Sequence, residues 1–149
     1  MPVPDDTVMQ PRLFAMAGTY AQALLDNVPD NAQAEETADE LDAIVQLFND
    51  IEGFDTLLTR AMLTRTQRDE LVERIFSQRV SEPIEAFISI LGRRDRLLLL
   101  RPSAVKFRNL LNVRKGLMEV HATTTEPLNE QRRNEIAKTI SEQLGSEVI

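Results

Sequence analysis

The spacing of the hydrophobic residues in this chain of 149 residues changes from helical to alternating at Gly116. Before Gly116, apolar side chains recur at steps of three and four, which is the spacing of amphipathic helices. After it, apolar and polar residues alternate from Met118 to Thr125, which is typical of a half-buried strand. The pattern predicts a mainly α fold: an N-terminal helical bundle over residues 1–115, followed by a small α/β segment over residues 116–149.

Turn residues divide the first part of the chain into six expected helices. The first spans residues 10–28 and the second ends at Gly53. The other four span residues 54–63, Thr66 to Val80, Ser81 to Gly92, and Pro102 to Gly116. Thr66 is the expected N-cap of the fourth helix, because an acidic residue, Asp69, follows three positions later.

The remaining residues read as a strand, a helix and the start of a second strand. Pro127 and Asn129 mark the turn after the first strand, and Ile136 to Leu144 carry a helical stripe that ends at Gly145. Residues 146–149 are then expected to begin a strand. We place the boundary between the two units at residues 115–117.

The net charge of −7 is unevenly distributed. Residues 1–59 contain one basic and twelve acidic side chains, whereas residues 93–115 contain eight basic ones against Asp95 alone. Two interpretations are open: the acidic early helices face the basic later ones, or the basic cluster binds a charged partner such as nucleic acid. A sequence pI of about 4.8 and a single aromatic residue in the cluster, Phe107, favour the first.

The composition leaves little for catalysis. The chain has no Cys, one His and five scattered Gly, which excludes thiol chemistry, Cys-ligated metals and a phosphate-binding loop. His121 is the only candidate general base near neutral pH, and we expect it to be an exposed strand residue. The acidic pairs Glu35–Glu36 and Asp39–Glu40 are expected to be solvated. We therefore predict a non-enzyme with no catalytic residue, cofactor or metal.

No export segment or membrane span is expected. The longest apolar run is Leu97 to Leu100, whereas a spanning helix needs about 20 apolar residues.

Three segments resemble the delta subunits of F-type rotary ATP synthases, the family of the mitochondrial oligomycin-sensitivity-conferring protein. The first, Gly18 to Leu25, is similar to that family's first-helix signature, although Thr19 stands where Arg is common. The second is the apolar helix and polar turn of Phe87–Leu97, and the third is the extended segment of Gly116–Leu128. Their order and spacing agree with the family from about residue 10 to residue 149.

The resemblance implies a six-helix bundle whose first and fifth helices form a groove for the amphipathic N-terminal helix of an alpha subunit. Small residues of the first helix, Ala17, Gly18, Ala21 and Ala23, suit the close approach of another helix. The expected partner-binding residues are Ala17, Tyr20, Ala21, Leu24, Ile84, Phe87, Ile88 and Leu91. A second interpretation is that most of them are simply the bundle core.

The resemblance also implies a function. Family members hold the catalytic head still, and their C-terminal domain contacts the b subunits of the peripheral stalk. The expectation is a non-catalytic stator subunit for hydrogen ion transport and ATP synthesis, peripheral to the membrane on its cytoplasmic side, with no nucleic-acid partner. The family's Gly-rich hairpin and last basic helix do not follow Ile149, so a truncated C-terminal segment is expected. The alternative is an unrelated helical adaptor that binds a charged partner through residues 93–115.

Overall fold

The computed structural model describes residues 11–53, 63–121 and 123–149. Most of these residues are helical, and the expected mainly α fold is confirmed. The elements are α1 (Pro11–Asp26), α2 (Asn31–Asp50), α3 (Arg65–Phe76), α4 (Glu82–Arg93), a 3₁₀ helix (Leu97–Leu99), α5 (Leu100–Arg114), β1 (Leu117–Met118), α6 (Glu130–Leu144) and β2 (Glu147–Val148). The short helix expected over residues 54–63 lies almost entirely outside the described residues.

Helix α5 is the central element of the N-terminal part. It packs against both α1 and α2, while α4 packs mainly against α3, and the 3₁₀ helix contacts α1, α4 and α5. Phe107 and Leu111 of α5 are fully buried in the hydrophobic cluster that these helices share. Burial of such large side chains contributes about 1.5–3 kcal/mol each, which makes this cluster the main source of stability.

Two helix starts differ from the sequence-based prediction. α3 begins after Thr64 rather than Thr66, because Thr64 and Gln67 form a reciprocal capping box. Gln67 reaches back to the Thr64 backbone N–H, which a shorter Asp side chain does less well. α5 begins at Leu100 rather than Pro102, because the 3₁₀ turn of Leu97–Leu99 leads directly into it.

The C-terminal part contains a two-stranded parallel sheet, in which Leu117 pairs with Glu147 and Met118 with Val148. The long strand expected up to Thr125 is wrong, since only Leu117–Met118 is a strand. Pairing continues for one further step, through a 3.3 Å hydrogen bond from the Val120 amide to the Ile149 carbonyl oxygen. Beyond it no described residue offers a neighbouring strand, and residues 123–125 are exposed. α6 ends at Gly145 in the left-handed region, as predicted.

Candidate docking face

The eight residues predicted to bind a partner helix lie mostly inside the bundle. Seven are buried and Tyr20 is half-buried. Seven of the eight, all but Ala17, belong to the shared hydrophobic cluster or pack against it. Their side chains fill space between the chain's own helices, so a partner reaches them only at the edge of the cluster, where Tyr20 lies.

The small side chains of α1 lie against α5 of the same chain. Ala17 and Ala21 are fully buried, and the Ser103 hydroxyl donates a 3.4 Å hydrogen bond to the Ala17 carbonyl oxygen. The close helix approach expected at these residues is therefore made by α5. Gly18 is half-buried and Ala23 is exposed.

One edge of α4 carries apolar side chains that the bundle leaves partly uncovered. At steps of four, three and four along the helix, this edge consists of Pro83, Phe87, Ile90 and the C-cap residue Arg94. Phe87 is buried, but Ile90 is 46% exposed. α3 packs along the opposite edge of α4, where Gly92 lies near Asp69. We call the partly exposed Ile90 edge, which faces away from α3, the free edge of α4.

The corresponding edge of α1 carries Leu13, Met16 and Tyr20, which are half-buried and pack against the margin of the cluster. The 3₁₀ helix contacts both α1 and α4. Within it Leu97 and Leu99 are buried, whereas Leu98 is 57% exposed. These contacts connect the turn that carries Leu98 to both α1 and α4. We call the edge of Leu13, Met16 and Tyr20 the free edge of α1.

Arg96 connects the two edges. Its guanidinium donates a 2.8 Å hydrogen bond to the Tyr20 hydroxyl and lies 5.9 Å from the centre of the Tyr20 ring. Its backbone amide donates a 2.8 Å hydrogen bond to the Leu91 carbonyl oxygen of α4. We define the candidate docking face as Tyr20, Ile90, Arg94, Arg96 and Leu98.

Sequence reasoning identified one of these five residues as a binding residue, Tyr20. Ile90 and Leu98 were overlooked because they lie beside the strongest apolar positions rather than on them. The signal was present: four consecutive leucines at Leu97–Leu100 cannot all point inward from a helical turn.

The basic cluster of residues 93–115 is largely engaged within the chain. Arg108 contacts the carboxylates of Glu35, Asp39 and Asp42 on α2, and Lys115 also pairs with Glu35. Further contacts join Arg114 to the carbonyl oxygens of Leu25 and Val28, Arg96 to Tyr20, and Lys106 to the Phe14 ring. The acidic α2 and the basic α5 therefore face each other, which agrees with the interpretation that the acidic early helices face the basic later ones.

The environment of Arg108 keeps its guanidinium charged. Partial burial lowers the pKa of Arg108. Hydrogen bonds to Asp42 and Asp39 raise it, the negative charges of both carboxylates raise it further, and together they outweigh the effect of burial. The net result is a pKa above the ordinary arginine value.

His121 lies in an exposed loop after β1. Its side chain is 88% exposed, and Nε2 is 3.2 Å from the Glu119 carboxylate. Both residues border an open cleft of about 500 Å³ between α5 and the C-terminal segment, where Asn109 and Asn112 form part of the opposite wall. Among the described residues no group of three or more His, Cys, Asp or Glu is arranged to hold a metal ion. In the same part of the chain, no helix is both long and apolar enough to cross a bilayer.

Comparison with known proteins identifies the family of this chain. The family model described as ATP synthase delta (OSCP) subunit matches residues 16–149. An ATP synthase subunit delta of Chlorobium chlorochromatii is 30% identical over 129 residues, which cover 87% of this chain and 72% of that protein. Proteins of the same description from Prochlorococcus marinus (strain AS9601) and Halalkalibacterium halodurans are 26% and 27% identical, over 92% and 88% of this chain and 76% and 72% of their own lengths. The chain belongs to the ATP synthase delta (OSCP) subunit family.

Proposed function

We propose that this chain is a non-catalytic stator subunit of an F-type, proton-transporting ATP synthase. In this role it holds the catalytic head still while the rotor turns, so that rotation drives ATP synthesis. Membership of the delta family is the main support. Such a role requires durable contacts rather than chemistry, and buried apolar anchors provide slow dissociation better than exposed charges do.

The first contact in this proposal is with the N-terminal helix of an alpha subunit, bound at the candidate docking face. The observation that carries it is the exposure of Ile90 and Leu98, which lie in elements that Arg96 connects to the half-buried Tyr20. An amphipathic helix binds through residues at three- and four-residue steps, and this face offers apolar side chains from two helices and a turn. The eight predicted residues then act mainly as the packed layer beneath this face.

The second contact is with the b subunits of the peripheral stalk, through a separate C-terminal unit of residues 116–149. Met118, Ile136 and Leu144 of this segment are partly exposed apolar residues, which supports an interface there. These contacts give a peripheral subunit on the cytoplasmic side of the energy-transducing membrane. Nucleic acid is not a partner in this proposal, because α2 already pairs with Arg108 and Lys115 of the basic cluster and the sequence pI is about 4.8.

Co-purification tests both contacts. The tagged 149-residue chain is expected to capture the alpha and b subunits of its own organism. A synthetic peptide of the alpha N-terminal helix is expected to bind the chain directly, with most of its affinity retained at high salt because apolar burial resists screening. Recovery of neither subunit, together with no peptide binding, would exclude the stator role.

The chain offers a direct signal for this titration. Tyr20 is its only tyrosine and it has no tryptophan, so a peptide without either residue leaves Tyr20 as the reporter of binding. Replacing Ile90 with Ser is expected to weaken binding by about 1–3 kcal/mol, as for an interface anchor. Val113→Ser is the matched control, because Val113 is 73% exposed on the outer side of α5. An equal loss in both variants would remove the docking face from the proposal.

A separate assay addresses the absence of catalysis. The purified chain is expected to show no nucleotide hydrolysis. Turnover that His121→Ala abolishes would contradict a purely mechanical role.

A further inference from the structure

We infer that Arg94 and Arg96 make the docking face selective for a helix with acidic side chains at one end of its apolar stripe. This inference rests on the proposed function, because it specifies the chemistry of the helix bound at that face. It assigns Arg94 and Arg96 as specificity residues and Tyr20 as the residue that positions Arg96.

The first observation is that these two arginines have no carboxylate partner among the described residues. Three other described cations have one: Arg68 pairs with Asp95, Arg108 with three carboxylates of α2, and Lys115 with Glu35. Arg94 is exposed, and among the described residues the Arg96 side chain contacts the neutral Tyr20. Their positive charges are therefore available to a partner.

The second observation is the fixed direction of Arg96. The Tyr20 hydroxyl accepts from one of its terminal nitrogens, and the same guanidinium lies 5.9 Å from the Tyr20 ring centre. Arginine presents five N–H donors in a rigid plane, so a single hydrogen bond leaves others for a bidentate contact with a carboxylate. Holding the side chain in advance lowers the entropy lost on binding.

The third observation is that the described residues on this face include no acid. The free edge of α1 carries Leu13, Met16, Tyr20 and Ala23, with Asn27 in the turn that follows, and the free edge of α4 carries Pro83, Phe87 and Ile90 before Arg94. Asp95 is adjacent in sequence, but its carboxylate pairs with Arg68 of α3. Apart from Asn27, these described residues are thus mainly apolar, and the face is positive where Arg94 and Arg96 lie.

This arrangement fits an amphipathic helix whose apolar stripe ends in Asp or Glu. Apolar contacts supply most of the affinity, while the charges favour the correct partner and register and penalise helices with basic residues at that end. The other possible occupant is a second copy of this chain, whose α2, α3 and α6 also carry exposed acids, and sedimentation in the experiment distinguishes it from the alpha helix.

The experiment uses the full chain and two synthetic peptides. One is the N-terminal helix of the alpha subunit from the same organism, and the other has every Asp and Glu replaced by Asn and Gln. Affinities are measured by anisotropy of labelled peptide at low and high salt. Protein variants are Arg94→Gln, Arg96→Gln and, as a control, Arg74→Gln, which removes an exposed charge from the outer side of α3.

The native peptide is expected to bind about 5- to 10-fold more tightly than its neutral form at low salt, with the difference fading as salt rises. Arg94→Gln and Arg96→Gln should remove most of this preference, and Arg74→Gln should keep it. Tyr20→Phe keeps the ring but removes the acceptor for Arg96. It should reduce the preference for the acidic peptide without weakening the neutral one.

The outcomes separate the inference from the function on which it rests. If both peptides bind equally, or if Arg74→Gln loses as much preference as Arg94→Gln, the inference is overturned and the docking proposal stands. If neither peptide binds, both fall. The inference would also be overturned if the chain sediments as a dimer when peptide is added. The paired peptides decide the question even if Arg96→Gln fails to fold, because they require no change to the protein.

Discussion

Arg108 donates a 2.6 Å hydrogen bond to Asp42, joining side chains that are 66 residues apart in the chain. The same guanidinium also contacts Asp39 at 2.7 Å and Glu35 at 3.1 Å. All three acids belong to α2 and Arg108 belongs to α5, so one cation connects two helices that the sequence separates widely. The excess of acids in the first part of the chain is thus partly balanced inside the bundle.

Replacing Arg108 with Gln is expected to lower the free energy of unfolding by about 1–2 kcal/mol at low salt. Each pair is partly exposed and worth less than about 1 kcal/mol, but the variant also leaves three neighbouring carboxylates without their cation. Because the effect is electrostatic, it should shrink as salt rises. Urea titrations at low and high salt provide the measurement. Arg74→Gln is the control, and a loss independent of salt would contradict the electrostatic explanation.

The N-terminal cap of α3 allows a sharper comparison. Thr64→Ala is expected to lower the free energy of unfolding by about 1 kcal/mol, because it removes the acceptor for the Gln67 amide. Thr66→Ala is the matched control: an exposed threonine two residues on, inside the first turn, should change it by less than about 0.5 kcal/mol. Thermal and urea unfolding compare the two, and a larger loss at Thr66 would contradict the assigned cap.

The sequence was a better guide to helices than to their ends. Periodicity locates α1, α4 and α6 because their apolar residues repeat at helical steps. It misplaces the start of α3, since two threonines, Thr64 and Thr66, precede the same apolar stripe. It also overextends β1, because alternation shows that residues suit a strand but does not supply the neighbouring strand that a sheet requires.

The candidate site was harder to predict, for a different reason. A stripe such as Ile84, Phe87, Ile88 and Leu91 is apolar whether it packs on its own bundle or on a partner. Only the packing of the other helices distinguishes the two, and it buries these four residues while leaving Ile90 partly open. Likewise, small residues at Ala17 and Ala21 predict a close helix approach without showing that α5 makes it.

The C-terminal segment is expected to be less stable locally than the bundle. No residue of α6 is buried, and Ile136 and Leu144 are partly exposed. Local opening costs little where few apolar contacts are lost, so amides in α6 should exchange faster than those in α1 and α5. Native-state hydrogen exchange on the full chain measures this directly. Equal protection in α5 and α6 would contradict the prediction, whereas protection gained on adding a b subunit would identify what covers this segment.

Phe87 and Ile90 are neighbours on one edge of α4, but we expect Phe87 to contribute mainly to folding stability and Ile90 mainly to peptide binding. Phe87 is 5% exposed and belongs to the hydrophobic cluster, so Phe87→Ala should lower the free energy of unfolding by about 3–5 kcal/mol. Ile90 is 46% exposed, so Ile90→Ala should lower the free energy of unfolding by less than about 1 kcal/mol. It should weaken binding of the peptide from the alpha subunit's N-terminal helix by about 1–3 kcal/mol.

Urea unfolding beside titration calorimetry separates these effects in each variant. The stability loss of Phe87→Ala is expected without a peptide, and the affinity of the remaining folded protein should fall less than in Ile90→Ala. A Phe87→Ala protein that keeps its stability but loses the peptide would show that Phe87 is a contact residue rather than core. An Ile90→Ala protein with unchanged affinity would show that the helix does not bind along this edge of α4.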